Sequence, residues 1–292
     1  MCRYRGRFAP SPTGPLHFGS LFAAVISYLD ARYHLGDWLL RIEDIDPPRE
    51  HPKAKQLILK SLQAHGLQWD GPVTYQSDRS ELYQAILSSL DQKGHCYRCP
   101  CSRKHLARHH GVHLPSCTLQ TEHKLACAYK FRAKGKSYTW NDGIQGILSS
   151  SIEDDFVLKR KEQLYSYQLA VVADDIAQEI THVVRGSDLL DSTPMQLALY
   201  EGLDLTPPTF CHFPVIVNRQ KQKLSKQNLA PAIDDIKALD NLLTVFQLAG
   251  LPISTKPKTV RAALEMALDH WHLKRVPRVK TIETNETLNK ER

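Results

Sequence analysis

Long apolar runs are missing from this 292-residue chain. No stretch approaches the roughly 20 apolar residues that a membrane-crossing helix needs, so no membrane span and no membrane partner is expected. The opening Met1-Cys2-Arg3-Tyr4-Arg5 runs into a polar Pro/Gly segment and lacks the apolar core of a secretory signal. A cytoplasmic location is therefore expected. Internal repeats and low-complexity tracts are also missing, which excludes solenoids and linker-like chains. Without a signal, the seven Cys do not read as a disulfide framework. Three of them, Cys96, Cys99 and Cys101, fall within six residues, and that clustering points to a metal.

What is present is an ordinary globular composition, 42% hydrophobic and 24% charged, in a chain long enough to bury a sizeable core. The net charge of +7 favours a polyanionic partner, though weakly by itself. Placement adds to it. Lys93, Arg98, Arg103, Lys104, Arg108, Lys124, Lys130, Arg132, Lys134 and Lys136 crowd residues 93–136 together with six of the 14 His. Such a cluster suits nucleic-acid phosphates, and it suits a solvated surface as well.

Strand and helix patterns alternate through most of the chain. Arg5–Ala9 reads as a short strand, Pro10–Pro15 as a turn and Leu16–His34 as an apolar helix stopped by Gly36. Trp38–Ile42 reads as a buried strand ending in acidic residues. Pro52–His65 and Ser80–Lys93 have helical periodicity. Phe156–Lys159, Thr181–Arg185 and Pro214–Val217 read as strands, and Tyr167–Ile176, Pro194–Gly202, Asp234–Leu248 and Val260–Leu273 as helices. The alternation predicts a parallel α/β sheet. The pattern changes at residues 94–140, which read as a small insertion relying on a metal in place of a core. Lys280–Arg292 reads as a loose polar tail. The expected units are residues 1–93 and 141–227 as two halves of a catalytic domain, the insertion between them, and a short helical region over 228–292.

Two short motifs carry the chemistry. Pro10 to Ser20 sets a tight turn between a strand and a helix start, where backbone N–H groups and the helix dipole favour phosphate. Gly14 and Gly19 permit close backbone approach there, and His17 can donate to a phosphate oxygen. An ordinary Pro/Gly connector is the alternative. Lys223-Leu224-Ser225-Lys226-Gln227 places two ammonium groups and a hydroxyl on one loop, a means of neutralising a leaving pyrophosphate. Between them, Arg7 and Arg185 offer forked donors for carboxylates, Glu43 an acceptor for an ammonium, and Tyr167 an orienting hydroxyl. Each of these could also be a structural ion pair or core Tyr. Cys99-x-Cys101-x11-His113-x3-Cys117 could close a tetrahedron around a structural Zn2+, with no open position for catalysis. Cys96, Cys127, His109 and His110 are possible substitutes in that set.

Arg7-Phe8-Ala9-Pro10-Ser11-Pro12-Thr13-Gly14 with His17-Phe18-Gly19-Ser20 resembles the opening of glutamyl-tRNA synthetases, in the class I aminoacyl-tRNA synthetase family. Ser20 stands where the class I motif has a second His. The Lys223–Gln227 loop resembles the second class I motif. Further similar segments are Arg41–Asp46, Trp69–Pro72, Tyr75–Arg79, Tyr167–Asp175 and Ile180–Leu190. The resemblance implies a Rossmann-type catalytic domain with a zinc-binding insertion and a short helical C-terminal region. It implies glutamate bound by Arg7, Ala9, Ser11, Glu43, Tyr167 and Arg185. It implies ATP, with Mg2+, bound by Pro10, Thr13, Gly14, His17, Gly19, Lys223, Ser225 and Lys226, with His17 and Lys226 as the catalytic pair.

The short segment after Gln227, the Phe18-Gly19-Ser20 variant and the Cys cluster resemble the queuosine-modifying branch of the family. That branch has Tyr where this chain has His113, and imidazole is the better zinc ligand. The implied reaction is transfer of glutamate from its adenylate to the cyclopentene-diol of queuosine in the anticodon of tRNA(Asp), by a monomer. A short enzyme charging a tRNA 3′ end, and a non-catalytic zinc-bearing RNA-binding module, are the alternatives.

Overall fold

The computed structural model describes residues 3–101, 127–218, 220–222, 231–253 and 256–284. Its centre is a parallel sheet. β1 (Arg5–Phe8) pairs with β2 (Asp37–Ile42), and β2 pairs with β3 (Thr74–Tyr75), all parallel. On the other side of β1 lies β9 (His182–Gly186), itself parallel to β10 (Thr209–Phe213). The β1–β9 seam is joined at the strand starts, where Thr181 N–H donates to Arg5 O (2.9 Å) and Arg5 N–H to Thr181 Oγ1 (2.8 Å). The spatial order β3–β2–β1–β9–β10 reverses direction between β1 and β9. In an open α/β sheet that crevice, at the carboxyl ends of the strands, is the favoured ligand position.

Helix α1 (Phe18–Tyr33) is buried on most of its surface, with Leu21, Phe22, Val25, Ile26 and Leu29 fully covered. That is why its sequence is apolar nearly all round. Its stop differs in detail from the expected glycine signal. Leu35 takes the left-handed conformation (φ 52°). Gly36 is needed for close approach instead, because a Cβ there would lie 2.4 Å from Tyr4 O. Helix α2 (Ala54–Ala64) packs Ile58 and Leu62 into the same core. The C-terminal helices α6 (Ala238–Leu248) and α7 (Val260–Asp269) add Leu242, Val245, Phe246, Ala263 and Leu264 to it.

A second core joins α3 (Ser80–Gln92), α4 (Tyr167–Ala177) and α5 (Thr193–Gly202) with strands of which the sequence reading anticipated only Phe156–Lys159. β4 (Cys96–Cys99) pairs antiparallel with β5 (Ala128–Phe131), which pairs with β8 (Phe156–Lys159). Cys96, Phe131 and Ala133 are buried in this second core. The described flanks of residues 94–140 therefore pack against the main body through apolar side chains. Between them and β8 runs a hairpin, β6 (Ser137–Asp142) and β7 (Gly146–Ser151).

The tail expected to be loose also corrects the sequence reading. Thr281–Glu283 forms β12, parallel to β11 (Val215–Val217). Val215 N–H donates to Lys280 O (2.9 Å) and Thr284 N–H to Val217 O (3.0 Å). Backbone groups make this pairing, so a polar composition hides it. Among the described residues, no helix is long and apolar enough to cross a membrane.

Candidate active site

A cleft of about 780 Å3 opens at the carboxyl ends of β1 and β9. Arg7, Ala9, Ser11, Glu43, Tyr167 and Arg185 all line it, as do Pro10, Thr13, His17 and Gly19. Residues from four separate parts of the sequence are thus gathered by the strand ends and by the starts of α1 and α4. Gly14 acts through the turn, with φ of 150°, a conformation that glycine adopts without a Cβ penalty. Two backbone bonds pin the turn to the segment between β2 and α2: Glu43 N–H to Pro10 O (3.0 Å) and His51 N–H to Pro12 O (2.9 Å).

His17 is the N-cap of α1. Its Nδ1 accepts from Ser20 N–H (3.1 Å), and its Nε2 lies 2.9 Å from Ser20 Oγ. An accepting Nδ1 puts the ring proton on Nε2, pointing at the Ser20 hydroxyl. Ser20, where a second imidazole was expected, is thus the partner of the first one. Lys223, Ser225 and Lys226 lie outside the described residues. The segments flanking them meet the cleft: Val215 and Ile216 line it before the loop, and after the loop Ala232 bridges to His17 while Ile233 N–H donates to Leu16 O (3.0 Å).

Behind the cleft is a buried network that sequence reasoning missed. Asp175 on α4 accepts from Arg7 Nε (3.1 Å) and Nη2 (3.4 Å), and from Arg41 Nη2 (2.6 Å). Burial pushes the Asp175 carboxyl up, but Arg7 and Arg41 prevail and hold it below the usual range. Asp174 accepts from Gln76 Nε2 (2.7 Å), Arg79 Nε (2.5 Å) and Tyr83 Oη (2.9 Å). The signal was present: two adjacent carboxylates in an apolar helix, Leu169 to Ile176, require buried cations. Arg7 uses Nε and Nη2 on Asp175, so its Nη1 end remains for a ligand. Glu43 is half-buried on the cleft wall. Burial drives its pKa up to about 7, against the attraction of Arg41 and Arg7. Burial and then Glu43 likewise raise the Tyr167 hydroxyl.

Arg185 is held by three side chains. Its Nε donates to His212 Nε2 (2.9 Å), Nη1 to Gln196 Oε1 (2.8 Å) and Nη2 to Thr193 Oγ1 (2.9 Å). Arg7, Arg185 and Glu43 thus set two buried guanidinium groups and a carboxyl in a cleft that Asp46, Glu50 and Asp188 also line, an arrangement that can take a small zwitterion carrying an extra carboxylate.

Of the expected metal ligands, Cys99 closes β4 and Cys101 follows two residues later, whereas His113 and Cys117 lie outside the described residues. Among the described residues, no group of three or more His, Cys, Asp or Glu could hold a metal ion. Several of the clustered basic residues have structural partners. Lys93 pairs with Asp204 (2.8 Å), Lys136 with Glu201 (3.1 Å) and Lys130 with Asp154 (3.6 Å). Arg132 stacks over Tyr97 and Arg98 over Tyr129.

Comparison with known proteins agrees with this geometry. The family model for the catalytic domain of class I tRNA synthetases (E and Q) matches residues 3–254. A Glutamyl-Q tRNA(Asp) synthetase of Idiomarina loihiensis is 45% identical over 273 residues, covering 92% of this chain and 96% of the relative. A protein of the same name from Neisseria meningitidis serogroup B is 45% identical, with 94% and 98% covered. The crystal structure of a glutamate tRNA ligase from Elizabethkingia meningosepticum, in complex with its amino acid, superposes with a TM-score of 0.83 at 23% identity, covering 98% of this chain and 68% of that one. The chain belongs to the class I tRNA synthetases of the E and Q type, a family of ligase-type enzymes.

Proposed function

We propose that this enzyme activates glutamate with ATP and transfers it to queuosine in the anticodon of tRNA(Asp). The observation that carries the amino-acid half is the meeting of Arg7, Glu43, Tyr167 and Arg185 in one cleft with His17 at its edge. Arg7 and Arg185 bind carboxylate, Glu43 accepts from the α-ammonium, and Tyr167, with the Ala9–Ser11 strand end, fixes orientation. The α-carboxylate of glutamate attacks the α-phosphate of ATP, giving glutamyl-adenylate and pyrophosphate. Pro10, Thr13 and Gly19 frame the phosphates, while His17, Lys223, Ser225 and Lys226 stabilise the charge that develops on them. Mg2+, when bound with ATP, supplies further neutralisation of the phosphates. A hydroxyl of queuosine then attacks the adenylate carbonyl and releases AMP. The target is supported by relatives of matching length that carry the name Glutamyl-Q tRNA(Asp) synthetase.

The test supplies radiolabelled glutamate, ATP and tRNA(Asp) prepared with and without queuosine. Label on the queuosine form alone is the expected result. Equal labelling of both forms assigns the reaction to the tRNA 3′ end and sinks the modification reading. Failure of glutamate-dependent ATP–pyrophosphate exchange would leave only a non-catalytic RNA-binding role.

Cys99 and Cys101, with His113 and Cys117, fit a structural zinc by donor chemistry: two thiolates at the mouth of a β-hairpin, and an imidazole and a third thiolate at zinc-ligand spacing. Elemental analysis of the purified protein is expected to find about one zinc per chain, as a four-ligand structural site requires. Cys101→Ala should lower it.

A further inference from the structure

Arg185 points to residues that its role in the cleft does not explain. His212 on β10 and Asp142 at the end of β6 are both buried, with 0% and 2% exposure. His212 Nδ1 is 2.5 Å from Asp142 Oδ2, and His212 Nε2 receives Arg185 Nε–H at 2.9 Å. A guanidinium has no acceptor, so Nε2 must present a lone pair and the ring proton must sit on Nδ1, facing Asp142. The other oxygen of Asp142 accepts the backbone N–H of Ile144 (3.1 Å), Gln145 (2.9 Å) and His212 itself (3.0 Å). Asp142 is therefore fixed in place before it touches the ring. Burial pulls the His212 pKa down, and the Arg185 charge adds to this against the pull of Asp142 and the more distant Asp188. The imidazole is neutral in the state drawn.

Resting on the reading of Arg185 as a glutamate-binding residue, we propose that Asp142 and His212 are positioning residues. They lock the imidazole in its Nδ1–H tautomer, keep an acceptor on Arg185 Nε–H, and so fix the direction of the guanidinium at the amino-acid site. The remaining contacts of Arg185, to Gln196, Thr193 and Leu189 O, then commit most of its other N–H groups and leave little freedom to re-aim.

Asp142→Asn is the diagnostic change. The three backbone donors hold the amide oxygen in the Oδ1 position, which turns the amide NH2 toward His212 Nδ1. The ring must then accept there and carry its proton on Nε2, where it meets Arg185 Nε–H donor to donor. His212→Gln with Asp142 retained has no tautomer: its amide NH2 can donate to Asp142 Oδ2 while its oxygen accepts from Arg185 Nε–H.

Glutamate and ATP kinetics are measured by ATP–pyrophosphate exchange for wild type, Asp142→Asn, His212→Gln and Arg185→Gln. Asp142→Asn is expected to raise KM for glutamate about tenfold or more, with KM for ATP within about twofold. His212→Gln, which keeps an acceptor on Arg185 Nε–H, should stay within about twofold of wild type. If Arg185→Gln raises KM for glutamate and Asp142→Asn does not, the positioning role is overturned and the glutamate site stands. If Arg185→Gln leaves KM for glutamate unchanged, the site reading itself fails. Long-range 1H–15N NMR of the wild-type His212 ring gives a readout that does not depend on variants folding. The Nδ1–H pattern is expected, and an Nε2–H pattern overturns the proposal.

Discussion

Glu43 shows how a single carboxyl can serve binding at the expense of the empty fold. Its pKa lies near 7, above the ordinary carboxylate range, chiefly because it is buried. An acid whose folded pKa is raised loses folded-state stability as pH climbs from its unfolded pKa of 4.5 to its folded pKa of about 7, because the unfolded chain ionises first. Glu43→Gln is therefore expected to raise the Tm of the ligand-free protein at about pH 8.5, with little change at about pH 4. Thermal melts at both values check this. The same carboxyl must be ionised to accept from an ammonium. KM for glutamate should rise as pH falls below about 7 in the wild type, and Glu43→Gln should raise it above that pH and flatten the profile. A flat profile across that range would remove Glu43 from the ammonium site. Asp175 has the opposite character. Its removal leaves Arg7 and Arg41 buried without their shared counter-charge, so Asp175→Ala should cost about 3–5 kcal/mol in urea unfolding.

At the scale of elements, the strands and helices that frame the cleft were the most legible part of the chain. Expected and observed bounds agree closely for β1, α1, β2, α3, β8, α4 and β9. These segments carry strong apolar periodicity or a turn signal. The strands missed, β3 to β7, β10 and β12, are short or partly polar. Except in the β6–β7 hairpin their partners lie far away in sequence, and pairing decides such strands more than composition does. Within the site, first-rank residues were legible because a resemblance brought them with it. Asp142 and His212 were not, since neither their spacing nor their type marks them until β6 and β10 are brought together. Two element-scale tests follow. Phe246 is fully buried where α6 meets α1. Phe246→Ala should lose about 3–5 kcal/mol by urea denaturation, with KM for glutamate unchanged in the folded fraction. Truncation after Arg278 removes β12 from β11, whose residues Val215 and Ile216 line the cleft and lead toward the Lys223–Lys226 loop. KM for ATP is expected to rise more than KM for glutamate, as exchange kinetics would show.

At the scale of the whole molecule, two cores meet at the cleft. Besides the β1–β9 seam, the halves are tied by the cluster of Arg7, Arg41 and Asp175, by Gln76 and Arg79 on Asp174, and by Arg5 on Glu179. The chain's net charge of +7 also acts at this scale. tRNA affinity should fall linearly with the logarithm of salt concentration, and filter binding at several salt concentrations gives the slope. A slope of zero would exclude phosphate contacts as the source of RNA affinity.

The position of Arg7 sets a limit on how this site can be re-engineered. One end of its guanidinium closes the buried ion cluster while the residue lines the cleft, so on the proposed function changing it alters recognition and folding together. A library that randomises Arg7 to seek a new amino-acid substrate would be dominated by chains that never fold, and screening would discard them before their specificity was seen. Ser11 and Tyr167 line the same cleft without belonging to that cluster. Variation there separates the two properties, and a search for altered substrate choice should begin with those positions.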